Sequence, residues 1–237
     1  MGDFYFDYFS KNGIIIVRQY NMRRVSKKES LNVRQWIENK VIDDIHKELR
    51  DKYTFVIKLV GSGKWDTIIK DNEGKWDLDY QIILTSNSVE YKKNELSYAT
   101  IIKQDFYNYF VKRLTNKKVY KIENSTTAIT IRNLPQKFSV DFVIIKLLPD
   151  NNQIIRRNMK KDSSALECTW NKLPKYNVAY KIFNSLTGKE REDLIENHII
   201  PRKIKEKSKN DNNPTKRSSM EVFIEEVNNY EYRRKNN

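Results

Sequence analysis

Residues 53–65, YTFVIKLVGSGKW, and residues 76–84, WDLDYQIIL, decide how this chain is read. The first is a β-branched and aromatic run ending on glycine, the pattern of a buried strand over Tyr53–Val60 that enters a tight turn at Gly61–Lys64. The second is a strand over Leu78–Leu84 opened by an Asp-x-Asp pair. Residues two apart in a strand project from the same face, so Asp77 and Asp79 can present both carboxylates to one place. Two carboxylates held together repel each other, and a divalent cation is the usual way to stabilise the ionised pair. Mg²⁺ takes oxygen ligands and commonly uses a few carboxylates plus substrate phosphates. A later strand, SVDFVII over Ser139–Ile145, sets Asp141 between Val140 and Phe142. An acid there is a poor choice for a strand that buries one face, unless the acid has work to do. Adding Asp141 to the pair gives a three-carboxylate cluster able to hold two metals about 3.5–4 Å apart, one activating an attacking oxygen and one steadying the leaving group.

The Gly61-Ser62 turn supplies the complementary half. Glycine lets the backbone approach a phosphate closely, and the serine hydroxyl and neighbouring N–H groups can donate to its oxygens. Lys64 adds a positive charge, and a helix beginning within 62–68 would add a favourable field for the anion. A P-loop is excluded: G-x-x-x-x-G-K-[S/T] needs a glycine where Lys58 stands and a hydroxyl residue where Trp65 stands.

Working outward, Ser26-Lys27-Lys28-Glu29 has the form of a capping box. Behind it Leu31, Val33, Trp36, Ile37, Val41, Ile45 and Leu49 recur at helical spacing, which predicts an amphipathic helix over 28–51. Residues 4–20 can supply a strand at Ile14–Arg18. Leu96–Leu114 reads as a helix with Tyr98, Ala99, Ile102, Phe106, Phe110 and Leu114 on one stripe. Short strands are expected at Lys118–Ile122 and Ala128–Ile131. Helices follow over about 175–186 and 189–198, and Met220–Arg234 reads as a terminal helix. Between them RKIKEKSKNDNNPTKRSS (202–219) is charged and almost free of apolar residues, the composition of a mobile linker. The order predicts an α/β (α+β) fold, a mixed sheet with helices packed on it.

The 237 residues carry 45 Lys plus Arg against 31 Asp plus Glu, a formal net charge of +14, which favours polyanionic partners such as nucleotides or RNA. One cysteine, Cys168, excludes an internal disulfide framework and fits a reducing compartment. One Cys and two His (His46, His198) cannot build a usual four-ligand zinc site. The N-terminal MGDFYFDYFSKNG has no apolar signal-peptide core, and Ile14–Val17 is far too short to span a bilayer. A soluble, cytoplasmic protein without a membrane partner is expected. Nothing in the sequence fixes the oligomeric state.

GSGKW, then WDLDYQI, then SVDFVII, with a long helix ahead of them, resembles the nucleotidyltransferase fold of the DNA polymerase β superfamily. Within it the chain looks like the branch of oligoadenylate synthase, cyclic GMP-AMP synthase and bacterial cyclic-oligonucleotide synthases. The resemblance covers residues 28–186, and Trp170-Asn171-Lys172-Leu173-Pro174-Lys175-Tyr176-Asn177 is faintly similar to the Asn/Asp-Pro turn of that branch. It implies Asp77, Asp79 and Asp141 as metal ligands and catalytic residues, with Asp141 also the base on the acceptor side. It implies Gly61 and Ser62, with Lys64, on the triphosphate. Lys181 and Ser185, i,i+4 on a helix, are implied as further triphosphate contacts, with an ordinary amphipathic face as the competing reading. Tyr176 and Tyr180 can stack on a base or pack in the core.

The implied cofactor is two Mg²⁺, with Mn²⁺ as a substitute, and the implied substrate is a nucleoside triphosphate such as ATP. Transfer of its nucleoside monophosphate to a nucleotide acceptor would make an oligonucleotide or cyclic signal, a chemistry that also implies a setting in antiviral defence. An RNA end or a protein hydroxyl is the alternative acceptor, and an inactive nucleotide- or RNA-binding module is the alternative class. The implied organisation is a catalytic core with a long N-terminal helix over 1–160, a short helical extension over 161–200, and a basic linker with a terminal helix over 201–237. Against that family, a reduced helical region after the core is expected.

Overall fold

The computed structural model describes residues 5–11, 14–20, 22–85, 95–147, 153–157, 167–173, 177–209 and 213–236. The chain divides into two compact units. One comprises residues 26–64 and 77–174, the other 1–25, 65–76 and 175–237.

The first unit is built on a sheet. Its opening helix α1 (Lys27–Ile37) starts where Ser26 Oγ accepts the Glu29 N–H at 3.2 Å. It continues through a π-helical turn (Glu38–Ile42) into α2 (Asp43–Leu49). Val33, Ile37, Val41, Ile45 and Leu49 are buried as the spacing predicts, whereas Leu31 is exposed. The π turn leaves backbone carbonyls without the usual i→i+4 partner, and Tyr109 Oη donates to the Val41 carbonyl at 2.9 Å. Trp36 stacks on Tyr120 at 5.6 Å.

The strands of this unit are β4 (Phe55–Val60), β6 (Trp76–Leu84), β7 (Tyr120–Asn124), β8 (Ala128–Asn133), β9 (Phe138–Lys146), β10 (Gln153–Arg157) and β11 (Cys168–Lys172). Between β4 and β6 lies the single helical turn α3 (Gly61–Lys64). They form one mixed sheet in the order β11-β10-β9-β6-β4, with β8 also on β9 and β7 on β8. The helix α4 (Glu95–Arg113) buries Ala99, Ile102, Phe106 and Phe110 of the predicted stripe, whereas Tyr98 and Leu114 are half-buried and Leu114 lies past the end of the helix. Strands β10 and β11 are additions that the sequence pattern did not suggest. Cys168 is buried at the start of β11, where its N–H bonds the Thr100 hydroxyl at 2.8 Å.

The second unit is mainly helical. It contains the hairpin β1 (Tyr5–Lys11) with β2 (Ile14–Tyr20), in register from Tyr5↔Tyr20 to Lys11↔Ile14, and the short pair β3 (Arg23–Arg24) with β5 (Ile69–Lys70). Its helices are α5 (Asn177–Ser185), α6 (Gly188–Asp193), a π-helical turn (Leu194–Ile199), α7 (Ile200–Ser208) and α8 (Ser219–Asn236). Phe183, Leu186, Leu194, Ile199, Ile204, Phe223 and Val227 make its core.

The linker expected over 202–219 is corrected here. Residues 202–208 belong to α7, and two of their charges are buried: Lys203 is 5% exposed and Glu206 3%. Lys203 Nζ donates to the Thr67 carbonyl at 2.9 Å and to its hydroxyl at 3.0 Å. Glu206 accepts from Lys209 Nζ at 2.8 Å and from the Arg217 N–H at 2.9 Å. Burial pushes the Glu206 carboxyl up, but those donors outweigh it and hold the pKa at about 2. Buried charges that find partners make a helix out of a composition that hydropathy alone reads as solvated. Among the described residues no helix is long and apolar enough to cross a membrane.

Candidate active site

Strand β4 ends at Val60, directly opposite Asp79 on β6. The next residue, Gly61, has φ +59°, a left-handed conformation that a side chain disfavours. A Cβ on Gly61 would also lie 2.6 Å from Asp79 Oδ2. Glycine is therefore required twice, for the turn and for the approach of the carboxylate to the backbone. Arg34 of α1 donates from its guanidinium to the Gly63 carbonyl and ties the long helix to this turn. Ser62 is half-buried and Lys64 exposed. No longer helix begins within 62–68: the helical turn is the four residues Gly61–Lys64, and Asp66 at φ +54° stands outside helical geometry. One turn has little macrodipole to offer, so any anion there relies on local donors.

The three acids share one face of the sheet. On β6, Trp76, Leu78, Tyr80 and Ile82 are buried, which turns Asp77, Asp79 and Gln81 to the opposite face; Asp77 is exposed and Asp79 half-buried. On β9, Phe138, Val140, Phe142 and Ile144 are buried, and Asp141 is half-buried between them. Strands β6 and β9 are neighbours. Behind the acids Tyr80 stacks on Phe142 at 5.4 Å and Phe110 packs on Phe142 at 4.8 Å, which fixes the two strands against α4.

Asp141 lies opposite Thr130 of β8, whose hydroxyl donates to Asp141 Oδ1 at 2.6 Å. Burial lifts the Asp141 carboxyl above its ordinary range, the Thr130 hydrogen bond draws it down, the Asp77 charge lifts it, and Arg132 draws it down again. Asp77 and Asp141 thus feel each other across the strand boundary. Glu123 of β7, opposite Thr130, continues the row and is held by Lys121 at 2.8 Å and Arg132 at 2.9 Å.

The structure brings Asp79 onto Gly61 and Asp77 into the field of Asp141. It does not draw all three into one coordination set: among the described residues no three His, Cys, Asp or Glu side chains stand together as a metal-binding group. The donor chemistry does fit Mg²⁺, since all three contribute hard carboxylate oxygens on one face of the sheet.

The remaining candidates lie in the helical unit. Lys181 is exposed on α5, and Ser185 Oγ is engaged with the Ile182 carbonyl of its own helix at 2.7 Å. Tyr180 packs with Trp65 and Phe223 in that unit's core, while Tyr176, with Pro174 and Lys175 of the Asn/Asp-Pro-like turn, lies outside the described residues. His46 stacks on Phe55 at 4.5 Å, and His198 lies 3.4 Å from Arg233. Two residues escaped sequence reasoning, Thr130 and Arg34. Thr130 becomes visible only when β8 is registered on β9, and Arg34 only when α1 is placed on the turn.

No family model matches the sequence, and no curated protein matches it. Solved structures do. The Vibrio cholerae DncV cyclic AMP-GMP synthase in complex with nonhydrolyzable GTP aligns at TM-score 0.55 and 16% identity, over 88% of this chain and 53% of that one. The apo form of Vibrio cholerae DncV aligns at 0.56 and 17% identity, with coverage of 88% and 53%. The STING-associated CdnE c-di-GMP synthase from Capnocytophaga granulosa aligns at 0.53 and 18% identity, with coverage of 87% and 61%. The chain therefore has the nucleotidyltransferase fold found in cyclic-oligonucleotide synthases. It spans between half and two thirds of the length of these structures.

Proposed function

We propose that this chain is a metal-dependent nucleotidyltransferase that makes an oligonucleotide or cyclic nucleotide. The observation that carries the reading is the seat of Asp79 against Gly61, on the face that also holds Asp77 and Asp141. Support comes from neighbours of the same fold, of which one is a cyclic AMP-GMP synthase with nonhydrolyzable GTP and another a c-di-GMP synthase.

Asp77, Asp79 and Asp141 are the residues that would hold Mg²⁺, which supplies charge neutralisation on the phosphates and at the attacking oxygen. The chain's own part is positioning. Gly61, Ser62 and Lys64 bind the triphosphate through backbone N–H, hydroxyl and ammonium donors. An acceptor hydroxyl attacks the α-phosphorus, its proton passes to Asp141, and the bond to the β-phosphate oxygen breaks so that pyrophosphate leaves with the electron pair. Such a reaction needs little covalent chemistry from the protein, so orientation and electrostatics carry it. A cytoplasmic setting and a role in antiviral defence are part of the same proposal.

A second reading is a module of the same fold that binds nucleotide or RNA without turnover, favoured by the absence of a gathered three-acid set among the described residues. Each labelled nucleoside triphosphate, incubated with Mg²⁺ or Mn²⁺ with and without RNA, separates the readings. New oligonucleotide species with pyrophosphate support the nucleotide acceptor. Label on RNA or on protein shifts the acceptor. Nucleotide binding with no pyrophosphate under any condition establishes the second reading.

A further inference from the structure

We infer that Thr130 is a positioning residue that sets the Asp141 carboxylate for metal binding; the inference rests on the nucleotidyltransferase reading. Thr130 is 5% exposed in the middle of β8, and its hydroxyl donates to Asp141 Oδ1 at 2.6 Å. That separation is in the range of a charge-assisted O–H···O⁻ bond, about 2.5–2.7 Å, which is stronger and more directional than a neutral one. A buried hydroxyl needs a partner, and a β-branched side chain in a strand has restricted χ1, so the donor is fixed before Asp141 is. The cross-strand register Thr130↔Asp141 places the two side chains on the same face without any loop between them.

The consequence is a division of labour between the two carboxylate oxygens. Oδ1 is committed to Thr130, which fixes rotation of the carboxyl about its Cβ–Cγ bond and leaves Oδ2 as the atom with freedom to meet a cation. Partners that orient a metal ligand in this way typically change metal affinity or activity by about 10–100-fold when removed. The row continues to Glu123, which lies opposite Thr130 on the far side and carries its own cations, Lys121 and Arg132. Thr130 thus separates Glu123, an acid neutralised by neighbours, from Asp141, which among the described residues has no cation of its own at hydrogen-bond distance.

The test measures Mn²⁺ binding directly by titration calorimetry on the full chain, with no nucleotide, for the native protein and for Thr130→Val, Thr130→Ser and Asp141→Asn. Valine preserves the shape and removes the donor; serine keeps the donor and removes the methyl. The expected result is a loss of about tenfold or more in Mn²⁺ affinity for Thr130→Val and retention within a few-fold for Thr130→Ser. Far-ultraviolet circular dichroism verifies the fold of each variant, and if Thr130→Val fails to fold, Thr130→Ala replaces it as the donor-free variant with the same expected loss. Native Mn²⁺ affinity in Thr130→Val, or an equal loss in Thr130→Ser, overturns the inference. If Asp141→Asn binds Mn²⁺ as the native chain does while Thr130→Val is also unchanged, the metal-site reading itself falls. If Asp141→Asn loses affinity and Thr130→Val does not, only the role of Thr130 falls.

Discussion

The two units use buried and half-buried charge in opposite ways. In the helical unit Glu206 is held by Lys209, Arg202 and the Arg217 backbone, and Lys203 is satisfied by Thr67, so charge closes on itself and stiffens α7. In the sheet unit burial raises the pKa of Asp141, and the Asp77 charge raises it further. Like charges kept on one face of a sheet are a cost to the fold, and a cost of that kind is a mark of function more than of architecture. The contrast separates acids that build the protein from acids that face a ligand.

The largest effect should come from breaking the second kind. Asp77→Ala with Asp79→Ala is expected to lower turnover by about a thousandfold or more, with the circular dichroism spectrum unchanged. Retained activity in that variant breaks the contrast. Next is the first kind: Glu206→Gln leaves Lys209 and the buried end of α7 without their anion and is expected to cost about 3–5 kcal/mol in chemical unfolding.

The pH dependence follows from the sign of the shift. A carboxyl lowered from 4.5 to about 2 contributes stability that is present above 4.5 and is lost as pH falls from there toward 2. In Glu206→Gln that acid-side decline should flatten. A variant as stable as the native chain, with the same acid profile, contradicts the assignment.

Gly61→Ala joins strain to displacement. It is expected to cost about 1–3 kcal/mol from the left-handed backbone, and about a hundredfold in turnover because the new methyl pushes Asp79 aside. A thermal melt and a pyrophosphate-release assay read the two components separately. The smallest effect is also the sharpest. Because the fold raises the Asp141 pKa, its favourable contribution belongs to the protonated form, greatest below the ordinary 3.8 and lost as pH rises through the raised value. Asp141→Asn, neutral throughout, is therefore expected to melt slightly higher than the native chain at neutral pH while losing turnover. A lower melting point at neutral pH would assign Asp141 to the structural class with Glu206.

Much of the sheet unit is legible in the sequence because its periodicities are clean. Leu78, Tyr80 and Ile82 alternate with Asp77, Asp79 and Gln81, and Ala99, Ile102, Phe106 and Phe110 repeat at helical spacing. Strands β10 and β11 are short and carry mixed residues, IIRR and CTWNK among them, so neither period emerges. Helix α7 is hidden for another reason: Lys203 and Glu206 occupy buried positions through pairing, and a hydropathy pattern has no symbol for a paired charge. At the site, the acids and the Gly61-Ser62 turn announce themselves through residue type and order. Thr130 and Arg34 do not, because their partners lie 11 and 29 residues away and become neighbours only through strand register and helix placement.

The most direct measurement is a crystal structure of the chain grown with Mn²⁺ and a nonhydrolysable nucleoside triphosphate, with anomalous data collected at the manganese edge. The account predicts anomalous peaks coordinated by oxygens of Asp77, Asp79 and Asp141, beside phosphates seated on the Gly61-Ser62 turn. Nucleotide bound on that turn with manganese elsewhere, or with Asp141 turned away from any metal, would contradict it.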